Sequence, residues 1–398
     1  MGLSGAGITV SLLAATAITT ETGSGVHGAL WTGAFLTVVF VAKAAAVRAM
    51  PAWSGRVGPE RLFLLSTYLL IAVWGGAGLL VVLGAPATAV VLAVAPLDGI
   101  ANGVFAVETP LLSQTFFSGQ SLAAANARVA VGWGIACAVG AIGAGLMING
   151  AGAGWALMAR AALSIPLLLV ISRLARSGDR SISRGEGQEA AVSDADVRHD
   201  DRSIKAGPAA RRVVLLAFIL TAATAPVIVM IVPIAESLGH TSNVMGASIV
   251  LAAMSVGGLF APAFVSVFER RLSSGRDPVL AALFVTGGLL AAFGVVGILL
   301  TARIELLALA VVGLIFGGAE FGSQSTVLGQ VVRVSGPFGA RHAIASMKFS
   351  TSLAAPLGFV AWDLVLDTTS GVTAMLVAAA LMIIVAFSFS RLRPIQVV

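Results

Sequence analysis

Long apolar runs, each close to the length that crosses a bilayer, alternate along most of the chain with short polar turns. A membrane-spanning helix needs about 20 apolar residues, and twelve such runs can be counted. Their approximate bounds are 2–20, 27–50, 61–83, 86–109, 122–148, 153–174, 211–235, 243–268, 278–300, 304–328, 341–362 and 371–390. The pattern predicts an all-α membrane protein with twelve transmembrane helices.

One long polar segment, residues 175–210, interrupts this pattern after the sixth run. It contains "RSGDRSISRGEGQEAAVSDADVRHDDRSIK" and mixes both charge signs without apolar periodicity, which is typical of a solvated linker. The segment divides the chain into an N-terminal six-helix bundle, residues 1–174, and a C-terminal six-helix bundle, residues 211–398.

Composition and charge placement support the membrane interpretation. Of the 398 residues, 58% are hydrophobic and 11% are charged, with a mean hydropathy of +0.99, whereas soluble domains have about 25% charged residues. With the N-terminus inside, eleven loop arginines lie on the cytoplasmic side and only Arg303 lies outside. The positive-inside rule therefore predicts a multi-pass protein of the cytoplasmic (inner) membrane with both termini cytoplasmic. The basic balance then reflects membrane topology rather than nucleic-acid binding.

The sequence offers no cofactor, metal or catalytic constellation. Cys137 is the single cysteine, and the four histidines, His27, His199, His240 and His342, have no metal-ligand spacing. We find no phosphate-binding loop and no nucleophile motif with partners. We therefore predict no cofactor, no metal and no enzymatic activity.

The two halves carry a weak internal repeat. An offset of 216 residues places "FAVETPLLSQ" (105–114) against "FGSQSTVLGQ" (321–330), so that Phe105 matches Phe321 and Gln114 matches Gln330. Together with the six-plus-six arrangement, this indicates two related halves around an axis along the membrane normal.

The twelve spans, the linker after the sixth and the paired halves resemble the major facilitator superfamily. The loop "PAWSGRVGPERLF" (51–63) is similar to its Gly–x3–Asp–Arg–x–Gly–Arg–Arg signature at Arg56 and Gly58, with Gly55 in place of the Asp. Residues 108–134, especially "AAANA" at 123–127, resemble the junction of spans four and five in macrolide and enterobactin exporters. "GAIGAG" (140–145) keeps the glycines of an antiporter motif but lacks its proline. The resemblance implies a monomer in which spans one, four, seven and ten line a central cavity.

Polar residues inside the apolar runs are the candidates for function, since an unpaired charge at bilayer depth costs about 2.5–3.5 kcal/mol or more. Asp98 and Asn102 share one face of the fourth span at i, i+4, and Glu320 and Gln324 repeat this arrangement in the tenth. By the resemblance, both pairs point into the cavity. A carboxylate in a low-dielectric cavity can load and release a proton near neutral pH.

These arguments predict three groups of site residues. For binding a proton or a cationic part of a substrate we predict Asp98, Glu320 and Glu108. For substrate contact we predict Asn102, Phe105, Gln324 and Phe321. As charge partners or gating residues we predict Arg128, Lys348 and Arg56. The alternative is a structural role, with the acids paired to Lys43, Arg128 or Lys348; Lys43 itself can also extend its amine to the interface.

The predicted function is secondary active transport of a small molecule, with proton-coupled export of an organic compound or drug as the first hypothesis. Import or facilitated passage of a metabolite is the alternative, which the missing signature Asp and the missing antiporter Pro favour. A membrane sensor or intramembrane enzyme would need an added domain or a catalytic constellation, and the sequence offers neither.

Overall fold

The computed structural model describes residues 2–22, 26–116, 122–177, 208–229, 244–273, 277–299, 302–335, 340–369 and 371–391. These residues are almost entirely α-helical, because a helix satisfies its own backbone hydrogen bonds where water is absent. The helices are α1 (Gly2–Thr22), α2 (Val26–Val57), α3 (Pro59–Val82), α4 (Ala87–Phe116), α5 (Leu122–Ala151), α6 (Ala153–Ser177), α7 (Pro208–Val229), α8 (Val244–Val256), α9 (Ala261–Ser273), α10 (Pro278–Leu299), α11 (Ala302–Ser335), α12 (Ala340–Thr368) and α13 (Gly371–Ser390).

The predicted spans correspond to these helices, and the all-α twelve-helix class is confirmed. Ten stretches of the described chain are long and apolar enough to cross a membrane, while the first and sixth spans have shorter apolar parts, Ala6–Thr19 and Ala153–Leu169. The eighth span is two helices, α8 and α9, joined by a 3-10 turn at Gly257–Phe260. Residues 230–243, with the predicted end of the seventh span, and residues 178–207 of the predicted linker lie outside the described residues.

The sequence predicted a loop at residues 51–63, and this prediction is wrong because all of these residues except Gly58 are helical. Residues 51–57 continue α2, and Gly58 alone separates α2 from α3. Gly58 has a φ of 85°, a left-handed conformation that glycine adopts at little cost, and Pro59 begins α3 in the position where proline is favoured. Hydropathy marks the hydrocarbon layer rather than the helix end, so α2 extends beyond its apolar run.

The helices pack in two groups, α1–α6 and α7–α13, which meet along two seams. In the first seam α2 packs on α12, and in the second α5 packs on α8 and α9. Across the first seam the rings of Phe40 and Phe359 meet edge to face with centroids 5.4 Å apart. The hydroxyls of Thr19 and Thr32, 2.8 Å apart, link α1 to α2 within the first group.

Glycines allow the close approach of three helices at the second seam. A β-carbon on Gly134 of α5 would overlap the main-chain oxygen of Ser255 in α8. On the other side of the same segment, β-carbons on Gly257 and Gly317 would overlap main-chain oxygens of α11 and α8 respectively. Small residues of this kind drive helix association in lipid, since backbones then pack directly. The eighth span is therefore held between α5 and α11.

We predict that Gly134→Ala destabilises the protein and Gly132→Ala does not. The new methyl group at position 134 forces α5 away from Ser255, an overpacking that costs about 1–3 kcal/mol. Gly132 lies two residues earlier on α5, and a β-carbon there meets nothing within 4 Å. Thermal unfolding in detergent measures both variants. Equal unfolding temperatures would show that the seam has no tight contact at Gly134.

Candidate functional site

A cavity of about 400 Å³ opens between the two groups of helices. It extends from the middle of the bundle toward the face that carries the Gly58 turn, since both Trp74 in mid-α3 and Phe63 near the start of α3 line it. Helices α1–α6 form most of the wall, and α11 and α12 complete it. Six further aromatic or apolar positions of the wall are Phe35, Leu36, Phe40, Phe105, Trp133 and Phe321.

Asp98 lies in the cavity wall on α4 and is 7% exposed. The indole Nε1 of Trp74 donates a hydrogen bond of 2.8 Å to Asp98 Oδ1. Asn102, one turn further along α4, donates to the main-chain carbonyl of Asp98 at 2.9 Å. The carboxylate is therefore positioned by Trp74 of α3, and the Asn102 side chain, which bonds the backbone of its own helix, also interacts with it.

Arg160 of α6 is fully buried beside this site. Its guanidinium and the Asp98 carboxylate attract each other, and the low-dielectric interior strengthens that attraction relative to water. Gly7 of α1 makes room for Arg160, because a β-carbon there would lie 2.5 Å from Nη1. The first group of helices thus contains two opposite charges that stabilise each other at bilayer depth.

Glu320 of α11 is 2% exposed and has a different environment. Its Oε1 accepts a hydrogen bond of 2.9 Å from Thr224 Oγ1 of α7 and one of 2.7 Å from Gln324 Nε2. Its Oε2 is buried without a hydrogen-bond partner in the described part of the chain. No described Lys, Arg or His forms a salt bridge with it.

Gln324 connects Glu320 to the cavity. Its side chain is part of the cavity wall while its amide nitrogen bonds the Glu320 carboxylate. Glu320 itself is not a wall residue. Gln324 therefore lies between the Glu320 carboxylate and the cavity.

The structure brings the four predicted substrate-contact residues together. Asn102, Phe105, Phe321 and Gln324 all line the cavity, the first two from α4 and the last two from α11. The ring of Phe105 packs edge to face on Phe63 with centroids 4.3 Å apart. Their role in binding stays a prediction, but their position fits it.

The other predicted residues are spread more widely. Lys348 of α12 lines the cavity with Asp98, whereas Glu108 is buried outside its wall at 3% exposure. Arg56 is exposed near the end of α2. Arg128, also exposed, lines a separate small hollow with Glu269 where α5 meets α9.

Sequence reasoning missed Arg160 and Trp74 and gave Lys43 a different position. Arg160 lies within the apolar run "WALMARAALSIP", and the rule that singled out Asp98 applies equally to it. Lys43, which could have reached the interface, lines the cavity instead. The contact between Trp74 and Asp98 had no sequence signal. Among the described residues, no three His, Cys, Asp or Glu side chains are close enough to hold a metal ion.

The apolar helices and the cavity between them are those of a multi-pass membrane protein, and comparisons with known proteins give its family. The sequence model of the Major Facilitator Superfamily matches residues 1–359, so the chain belongs to that superfamily. Family and fold point to a transporter rather than an enzyme. No curated protein matches the sequence at a significant level.

Solved structures with the same fold include sugar and nucleoside transporters. The chain is similar to the xylose transporter XylE from E. coli in a partially occluded inward-open conformation, with a TM-score of 0.68 and 12% identity over 99% of this chain and 98% of that one. It is also similar to the nucleoside transporter NupG, with a TM-score of 0.58 and 13% identity over 96% and 98% of the two chains. At these identities the likeness establishes the fold alone.

We predict that Asp98 and Arg160 are energetically coupled. Removing Asp98 leaves Arg160 without the carboxylate that attracts it, and removing Arg160 leaves Asp98 with Lys43 alone. Arg160→Met and Asp98→Asn should therefore each lower the free energy of unfolding, and the double variant should lose less than their sum. Coupled neighbours in such cycles differ from additivity by about 0.5–3 kcal/mol. Chemical denaturation in detergent measures the cycle, with Arg173→Met, an exposed position on the same helix, as the control. Additive effects would contradict the coupling.

Proposed function

We propose that this chain is a secondary active transporter that couples proton movement to export of a small organic molecule or drug. The two groups of helices would rock about the cavity and expose it to each side in turn. We further propose a monomer in the cytoplasmic (inner) membrane with both termini inside, which the arginine asymmetry supports. In that orientation the cavity lies in the inner half of the protein. The resemblance of residues 108–134 to exporters supports the outward direction.

The observation that carries proton coupling is the link from Glu320 through Gln324 to the cavity. An ionised carboxylate without a cationic partner is costly at bilayer depth, so a proton on Oε2 would leave the buried group neutral. The donors Thr224 and Gln324 stabilise the ionised form through Oε1. Both forms therefore have structural support, which a group that loads and releases a proton requires.

We assign the transported proton to Glu320 rather than to Asp98. Arg160 and Lys43 both attract the Asp98 carboxylate, and Trp74 donates a hydrogen bond to it, whereas no described cation forms a salt bridge with Glu320. Of the two carboxyl groups, Asp98 is therefore the better suited to a structural or binding role, and Glu320 to binding and releasing a proton. We also propose a gating role for Arg128. It lines the hollow on the α5–α9 seam, where the two helix groups must separate if the cavity is to open on the other side.

We predict that Glu320→Gln uncouples transport from protons. The amide cannot carry the proton yet fills the same volume, so substrate still binds. The assay uses proteoliposomes that contain a pH-sensitive dye and are challenged with a panel of organic cations, anions and neutral drugs. For any compound that drives proton movement in the wild type, the variant should lose that movement while retaining substrate exchange.

Glu269→Gln is the control for loss of a carboxylate in the same helix group outside the cavity. Because Glu269 lines the hollow of the proposed gating residue Arg128, the absolute rate is not the readout. The ratio of proton flux to substrate flux should equal that of the wild type. Proton movement that persists in Glu320→Gln would place the proton elsewhere.

Import or facilitated passage of a polar metabolite is the second candidate. The similar solved structures include a xylose and a nucleoside transporter, and amide side chains that can bond polar groups line the cavity at Asn102, Asn126 and Gln324. Substrate retention in cells with and without the gene, each with and without an uncoupler, separates the two directions. Export predicts lower retention with the gene and recovery with the uncoupler.

A further inference from the structure

Two lysines from opposite groups of helices face the same cavity. The chain has three lysines; Lys43 on α2 and Lys348 on α12 line the cavity, and Lys205 lies outside the described residues. Their ammonium groups are close enough to repel each other. Within the described chain neither forms a salt bridge, and Lys43 lies 5.0 Å from the centre of the Phe40 ring.

The cavity has an excess of positive charge. Asp98 is its one acidic wall residue among those described, and it attracts both Arg160 and Lys43. Glu320 and Glu108 lie outside the wall. Two cationic wall residues, Lys43 and Lys348, therefore face one acidic wall residue, whose charge Arg160 outside the wall also attracts. In a low-dielectric space the remaining positive charge favours an incoming counter-charge.

The remainder of the wall is apolar and aromatic. Five aromatic side chains surround the space, and they suit a ligand with an aromatic or other hydrophobic skeleton. These side chains are Phe35, Phe63, Phe105, Trp133 and Phe321. Asn102, Asn126 and Gln324 add amide groups that can donate hydrogen bonds. The wall thus combines a large apolar surface with two lysine ammonium groups and one carboxylate, which leaves an excess of positive charge.

We propose that the substrate is an amphipathic organic anion, with an apolar body and a carboxylate or similar oxyanion that Lys43 and Lys348 hold between them. Because the lysines belong to opposite helix groups, the bound anion replaces their repulsion by a shared attraction across the α2–α12 seam. Substrate binding would then draw the two groups together on that side. This inference relies on the proposed function only for the identity of the cavity as the transport site.

The test is binding by isothermal titration calorimetry to the full-length protein in nanodiscs. The probes are aryl skeletons of one to three rings, each presented as a carboxylate, a carboxamide and an aminomethyl cation of matched size. We expect the carboxylate of at least one skeleton to bind about tenfold or more tightly than its amide and its cation. No preference for carboxylates in any skeleton, or a preference for cations, overturns the proposal.

Variants then assign the selectivity to the lysines. Lys43→Gln and Lys348→Gln should each weaken carboxylate binding about tenfold and leave amide binding nearly unchanged, while Lys348→Arg should retain the preference. Arg48→Gln is the control, since it removes one positive charge from an exposed position of α2 outside the cavity. If a glutamine variant does not fold, the comparison of the three probe classes on the wild-type protein still tests whether the site prefers carboxylates. Carboxylate binding that survives both glutamine substitutions would contradict the lysine assignment.

Transport and binding can fail separately. If cations drive proton movement and carboxylates neither bind nor move, the anion proposal is wrong and the transporter proposal stands. If carboxylates bind in a lysine-dependent way but no compound moves with protons, the anion site stands and proton coupling is wrong.

Discussion

The low dielectric of the bilayer core is the constraint on which the rest of this structure depends. A charge placed there must be balanced inside the protein or must be neutralised. The first helix group follows the former route, with Arg160 and Trp74 around Asp98. In the second group, Glu320 has two hydrogen-bond donors and no salt bridge with a described cation. The two lysines at the cavity are a third case: Asp98 attracts Lys43 as well as Arg160, and within the described chain neither lysine forms a salt bridge. In our proposal a bound anion supplies the further negative charge.

The seams give these charges a mechanical consequence. Lys43 and Lys348 lie on α2 and α12, which pack on each other, so any change in their interaction acts directly between the two helix groups. The other seam is formed by backbone contact at Gly134, which fixes the distance between α5 and the eighth span. The first seam therefore has two like charges beside its packed aromatic rings, while the second has close contact between backbones. In our proposal an anion bound between the lysines acts on the first seam and leaves the contact at Gly134 unchanged.

Much of the fold could be predicted from the sequence, because every helix that crosses the lipid bilayer needs a run of about 20 apolar residues. The apolar runs predicted the helices. The spacing of Asp98 and Asn102 placed them on one face of the fourth span, and the resemblance to the superfamily predicted that this face lies at the cavity. The sequence could not predict which side chains of other helices contact each charged residue. Trp74 and Thr224 come from other helices, and only packing brings them to Asp98 and Glu320. Arg160 could have been recognised in the sequence as an isolated charge in an apolar run, but its attraction to Asp98 could not have been predicted.

Asp98–Asn102 and Glu320–Gln324 look equivalent in the sequence, yet the structure makes them different. In each pair the amide lies one turn beyond the carboxylate and lines the cavity: Gln324 donates to Glu320 Oε1, and Asn102 bonds the main-chain carbonyl of Asp98 and also interacts with its carboxylate. The pairs differ in their other neighbours. Asp98 attracts Arg160 and Lys43, whereas Glu320 has Thr224 and no salt bridge with a described cation. The internal repeat thus supplies two similar frameworks, and the cations around only one of them separate a charge that the protein balances from one that it leaves to hydrogen bonds alone.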